Sequence, residues 1–117
     1  MVFEHRNSLE KSNIQAVPEA GPNVYFTDLV GSKDDANPIT GSWFRLEKGP
    51  VAIAPRYEYD EVGIVVEGTM TLEDENGQQR TMRAGDTFVV YRGSTIKFST
   101  AKYGVAWKCG ARMPSKL

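Results

Sequence analysis

The stretch "AGDTFVVYRGSTIKF", residues 84–98, decides the fold. Gly85-Asp86 and Arg92-Gly93 mark two tight corners, and the β-prone run 87–91 lies between them. Beyond the second corner, Ile96 and Phe98 fall on one face of an extended chain and Lys97 and Ser99 on the other. Two short strands separated by a turn, with side chains alternating at period 2, are a β signal and not a helical one.

The same rhythm runs outward along the chain. It predicts strands over 24–30, 42–47, 51–59, 62–67, 69–73, 79–83, 87–91, 95–100 and 103–109. Asn76-Gly77 predicts a hairpin with a type I′ turn, because that pair tolerates positive φ. "KDDANPITG", residues 33–41, reads as the one long polar loop. Helical spacing is confined to residues 8–16, where Pro18 ends it. Many short strands with closely spaced turns predict an all-β sandwich or barrel in one domain. A chain of 117 residues fits one modest core. An arm over 1–22, a barrel over 23–112 and a tail over 113–117 are the expected divisions.

Composition narrows the function. Net charge is −1 and no basic run exceeds two residues, which argues against nucleic acid or an anionic membrane as partner. The N-terminus is too polar for a signal peptide, and no apolar run approaches membrane-spanning length. A soluble, cytoplasmic protein is expected. The lone cysteine, Cys109, cannot form an internal disulfide and reads as a buried spectator thiol. The single histidine, His5, lies in the N-terminal arm, so no triad or multi-histidine metal site can form within one chain. Chemistry must rest on Asp, Glu, Tyr, Lys, Arg or backbone groups.

Those groups crowd into "PRYEYDEVGIVVEG", residues 55–68. Glu61 is followed by six residues and Gly68, while Gly85 is followed by five residues and then Tyr91-Arg92-Gly93. With the "AGD" turn, this spacing resembles the two motifs of the cupins, G(X)5HXH(X)3–4E(X)6G and G(X)5PXG(X)2H(X)3N. Over residues 40–110 the chain is most similar to the small RmlC-like cupins related to the ethanolamine-utilisation protein Q. The resemblance implies a cupin-type β-barrel, the double-stranded β-helix or jelly roll, and a homodimer.

The departures are as informative as the matches. The histidines of the first motif would fall at Pro55 and Tyr57, or at Ala54 and Arg56, and that of the second at Ile96. Of four usual ligands only Glu61 survives. No transition metal and no other cofactor is therefore expected, since such sites rely on imidazole nitrogen. Oxygen ligands from Glu61, Glu58, Asp60 and tyrosines would suit a hard cation such as Mg or Ca instead. No glycine-rich phosphate loop followed by Lys-Ser/Thr is present.

On an extended strand Tyr57, Tyr59 and Glu61 share one face, with Glu58 and Asp60 on the other. If the resemblance fixes Glu61 inward, both tyrosines follow it. A carboxylate beside phenols in a partly apolar cavity suits proton transfer next to a carbonyl, with tyrosine donating to oxygen as charge develops. Glu61, Tyr59 and Tyr57 are the expected catalytic groups. Trp43 and Arg45 would clamp an anionic or aromatic substrate, and Ile96 and Phe98 would line its site. This predicts a metal-independent lyase, isomerase or cyclase acting on a small carbonyl or carboxylate compound. The alternative is a non-catalytic cupin that binds a small ligand or a partner protein. Lys97 reads as solvated, and Lys108, on the face opposite Trp107 and Cys109, is not expected to act as a nucleophile. Val2, Phe3, Leu9 and Ile14 of the arm offer apolar groups to a second subunit.

Overall fold

A computed structural model describes residues 2–115, leaving Met1 and, from the expected tail, Lys116 and Leu117 outside the described residues. The turn-separated segments become eight strands: β1 (Val24–Gly31), β2 (Thr40–Glu47), β3 (Ala52–Ile53), β4 (Glu61–Asp74), β5 (Gln79–Arg83), β6 (Thr87–Val90), β7 (Ile96–Ser99) and β8 (Tyr103–Gly110). The helical expectation over 8–16 shrinks to a 3-10 turn at Ser8–Ser12, whose start is capped by the Asn7 side chain. All pairings are antiparallel, in the order β1-β2-β8-β4-β7-β3.

β4 is the hub, because β5 and β6 also pair with it. Its first half runs beside β6 and β8, and its second half beside β5 and β7. The sequence reads as two strands at this place, 62–67 and 69–73, but the ladder is continuous through a bulge between Val65 and Glu67. Gly68 follows at φ +66°, and a Cβ there would collide with the Tyr103 carbonyl. Only glycine allows β4 to bend from one half of the barrel into the other.

Alternation sorts the side chains. In β2, Thr40, Ser42, Phe44 and Leu46 are buried, so Trp43, Arg45 and Glu47 face away. In β8, Gly104, Ala106, Lys108 and Gly110 point inward. Leu46, Val65, Met70 and Ala106 are fully buried, and Phe44 and Phe98 meet edge to face at 5.2 Å. These form the core behind the cavity described below.

Three expectations need correction. The strand over 51–59 is reduced to Ala52–Ile53, because Pro55 has no N–H to give a ladder and the chain leaves the sheet there. The Asn76-Gly77 hairpin forms, but only Gly77 has positive φ (+83°), so the turn is not type I′. The Asp74 carboxylate accepts from the N–H groups of Asn76 and Gln78 and holds the loop instead. Cys109 is exposed and not buried, since the parity that turns Lys108 inward turns it outward.

Candidate functional site

Residues 54–60 are irregular, yet they are firmly fastened. The Tyr57 N–H donates to the Ser94 carbonyl at 2.9 Å, and the Gly93 N–H donates to the Tyr57 carbonyl at 2.7 Å. This clamp swings the Tyr57 ring into the barrel, where 5 % of the residue is exposed. Its hydroxyl donates to Glu61 Oε2 at 3.1 Å, and its ring meets that of Tyr59 at 5.5 Å. Tyr57, Tyr59 and Glu61 therefore do come together, through a clamped loop and not through the strand face that the sequence suggests. Glu58 and Asp60 are exposed.

Glu61 opens β4 opposite Gly110 of β8, and Gly63 stands opposite Lys108. Equal parity puts Glu61 and Lys108 on the inner surface, and the glycines opposite them make room for rings, Phe88 at Gly63 and Tyr59 at Gly110. The Lys108 Nζ lies 3.7 Å from Glu61 Oε2, and both side chains are nearly inaccessible. The same Nζ sits 4.1 Å and 4.2 Å from the ring centres of Phe44 and Phe98, within cation–π reach. Sequence reasoning missed Lys108. The signal was its parity with Glu61 across β4 and β8.

A cavity of about 490 Å³ opens onto this cluster, lined by Tyr57, Tyr59, Glu61, Phe98, Lys108 and Arg112 among others. Burial, and then the charge of Glu61, push the Tyr57 phenol far above the ordinary range. The same two causes raise Tyr59, against the pull of Arg112. Both phenols therefore stay protonated as hydrogen-bond donors. Burial lowers Lys108 from the usual amine range, and Glu61 opposes that only in part.

At one end of the cavity Arg112 grips Asp28, with its Nη1 and Nη2 donating to the two carboxylate oxygens at 3.0 and 2.7 Å. Ser42 Oγ and the Ser115 N–H also donate to Asp28. Burial alone would raise this acid, but Arg112, Ser42 and Ser115 outweigh it and hold it at about 2. The grip ties the C-terminal segment to β1 and places Arg112 and Ser115 on the cavity wall.

The expected substrate clamp does not lie here. Trp43 and Arg45 occupy the outer face of β2 because the inner positions belong to Ser42, Phe44 and Leu46. Trp43 packs on Trp107 at 4.9 Å, and Arg45 pairs with Glu47 above the Tyr103 ring. Phe98 lines the cavity as expected, whereas Ile96 is buried without being part of its wall. The inner residue of β2 at the cavity is Phe44.

A transition metal does not fit these residues. Among the described residues no cluster of three His, Cys, Asp or Glu side chains is placed to hold one. The place beside Glu61, where a cation would bind, holds the Lys108 amine and two phenyl rings.

The chain matches the family model of the EutQ-like cupin domain over residues 39–109. No curated protein matches it. Among solved structures it is similar to the ethanolamine utilization protein Q of Salmonella typhimurium LT2, at 24% identity, TM-score 0.72, and 85% and 80% coverage of this chain and that one. The EutQ protein of Clostridium difficile follows at 19% identity and TM-score 0.69, covering 91% and 80%. An RmlC-like cupin from Shewanella frigidimarina NCIMB 400 is 18% identical at TM-score 0.72, covering 97% and 94%. These likenesses establish the barrel, since identities this low speak to fold alone.

Proposed function

The chain belongs to the EutQ-like cupin domain family, and from that premise we propose that its barrel moves a proton on a small carbonyl- or carboxylate-bearing compound without a metal. One observation carries the reading: a buried carboxylate, two protonated phenols and a buried amine converge on one wall of a cavity of about 490 Å³. Glu61 is the proton carrier. Tyr57 and Tyr59 are the donors for an oxygen that gains charge as the proton leaves. Arg112 lines the same cavity, with its charge matched by Asp28. Isomerisation, dehydration, β-elimination and cyclisation next to a carbonyl are the lyase, isomerase and cyclase reactions that start from this step.

Deuterium exchange into α-positions, followed by NMR over a panel of small ketones, aldehydes and oxo acids in D2O, tests the reading. Wild-type protein is expected to speed exchange in at least one compound, and Glu61→Gln to slow it by about 10²–10⁴-fold. Exchange that is absent throughout, or indifferent to Glu61→Gln, overturns it. A second reading is binding without turnover, favoured by the Tyr57 hydroxyl, which already occupies Glu61 Oε2. Tight binding of a panel compound with no exchange selects that alternative.

The proposal includes a second copy of the chain as partner. Val2 and Phe3 stand exposed and border an outer apolar surface with Val30, Ile39 and Trp107. Val62 and Val89 continue it beside Trp107 and Cys109. An apolar strip of this extent on a small domain suits a symmetric dimer. Sedimentation at micromolar concentration giving a monomer alone overturns this part.

A further inference from the structure

Lys108 has no role in the proton transfer described above, yet its position is costly. A lysine loses the hydration of its ammonium on burial, and such residues are seldom fully buried without a partner. Its nearest carboxylate oxygen, Glu61 Oε2, lies at 3.7 Å, beyond direct hydrogen-bond length. That oxygen already accepts from Tyr57. The amine is thus held by two phenyl rings and a nearby charge, on the wall of the cavity that Lys108 lines.

We propose that Lys108 is a carbonyl-capturing nucleophile, whose Nζ condenses with a small aldehyde or ketone in the cavity to form an imine. This rests on reading the cavity as a carbonyl site. The free-base lone pair attacks the carbonyl carbon, and the π pair moves to oxygen, which takes a proton from the acid form of Glu61. The nitrogen of the resulting carbinolamine returns a proton to Glu61. Glu61 passes that proton to the hydroxyl, which leaves as water while the nitrogen lone pair forms C=N, and the iminium gives its proton back to the Glu61 carboxylate. Amine and carbonyl become imine and water, with no change of oxidation state.

The surroundings suit each stage. Burial favours the free base, which is the attacking form. Tyr57 remains protonated beside Glu61 and can donate to the carbinolamine oxygen. Once protonated, the imine is an iminium that keeps its position between Glu61 and the faces of Phe44 and Phe98. An iminium is also a stronger acidifier of the adjacent C–H than a ketone, which links Lys108 to the proton that Glu61 removes.

The test traps the imine on the full-length wild-type chain with sodium cyanoborohydride, using propanal and pyruvate as probes and peptide mapping by mass spectrometry. Hydride reduction turns the iminium into a stable secondary amine. Lys108 is expected to be modified about tenfold faster than exposed Lys97 at neutral pH, because a buried amine holds more free base. Lys108→Met should lose that adduct and keep the slow surface ones. Should Lys108→Met fail to fold, the wild-type map still decides. Modification spread over the surface lysines, with Lys108 no faster, overturns the proposal. Glu61-dependent exchange without a Lys108 adduct overturns the imine and leaves proton transfer standing. A Lys108 adduct without exchange supports the imine and overturns proton transfer.

Discussion

The two faces of β4 and β8 carry opposite chemistry to what position predicts. Inside, Glu61 and Lys108 are 3% and 4% exposed. Outside, at the neighbouring positions, stand Val62 at 55% exposure on β4, and Trp107 and exposed Cys109 on β8. At this end of the two strands charged groups are buried and apolar groups are exposed. A sheet built only for stability would reverse them, since burial of apolar area stabilises and burial of charge opposes folding. Both departures cost free energy. Each therefore points to an occupant: something polar and small within, something apolar and broad without.

The comparison breaks most severely if the inner charges are taken singly. Lys108→Met alone leaves the Glu61 carboxyl buried without the amine beside it, and Glu61→Leu does the converse. Each is expected to cost about 3–5 kcal/mol by chemical denaturation, while the double variant recovers most of the loss. Additive costs would mean that the two groups do not sense one another across 3.7 Å. Next comes Tyr57→Phe, which deletes the hydroxyl that Glu61 Oε2 accepts from and keeps the ring against Tyr59. A loss of about 1.5–3 kcal/mol is expected for a hydrogen bond to a charged group. An unchanged denaturation midpoint would assign Tyr57 to packing alone.

Much of this contrast was legible in the sequence, and the rest failed for one physical reason. Turn residues and period-2 alternation locate every strand from β1 to β8, with β5 matched to the residue, because those signals are local. The inner and outer faces depend on register between distant strands. Reading Cys109 as a buried thiol put Lys108, on the opposite face, outside, following the usual rule that apolar groups are buried. The register Glu61–Gly110 overrides that rule, since one inward residue on β4 fixes the parity of all β8. The same error placed Trp43 and Arg45 at the substrate. Tyr57 and Tyr59 reach the site for a reason the sequence conceals: the loop clamp by Gly93 and Ser94 is a tertiary contact.

Asp28 joins β1 to Arg112, which lines the cavity, and is the partly buried acid whose titration reports on that link. Its pKa, held at about 2, lies below the ordinary 3.8, so the folded state binds fewer protons than the unfolded one in that interval. Its contribution to stability is fully present above 3.8 and fades as pH falls towards 2. Asp28→Asn should cost about 1–2 kcal/mol at neutral pH and flatten the acid limb of the stability profile. It should also free Ser115, whose N–H and hydroxyl both donate to Asp28, so faster amide exchange at Ser115 is the local readout. An acid limb identical to wild type would show that the Arg112 grip does not hold the C-terminal segment closed.

The smallest effect on the monomer is expected outside. Val62 is 55% exposed, so Val62→Lys removes little buried area and should shift chain stability by about 0.5 kcal/mol or less. Val62 also lies beside Val89, Trp107 and Cys109, at the centre of the apolar strip. In a symmetric pair the new charge would appear twice and be desolvated twice, so a substitution harmless to the fold should be severe for association. Sedimentation of Val62→Lys is expected to give a monomer where wild type gives a dimer, with the Lys108 trapping rate unchanged. A variant that still dimerises would move the contact away from this strip. One that dissociates and also loses trapping would show that the faces are not independent, and that the outer contact holds the inner charges in register across the thickness of one strand.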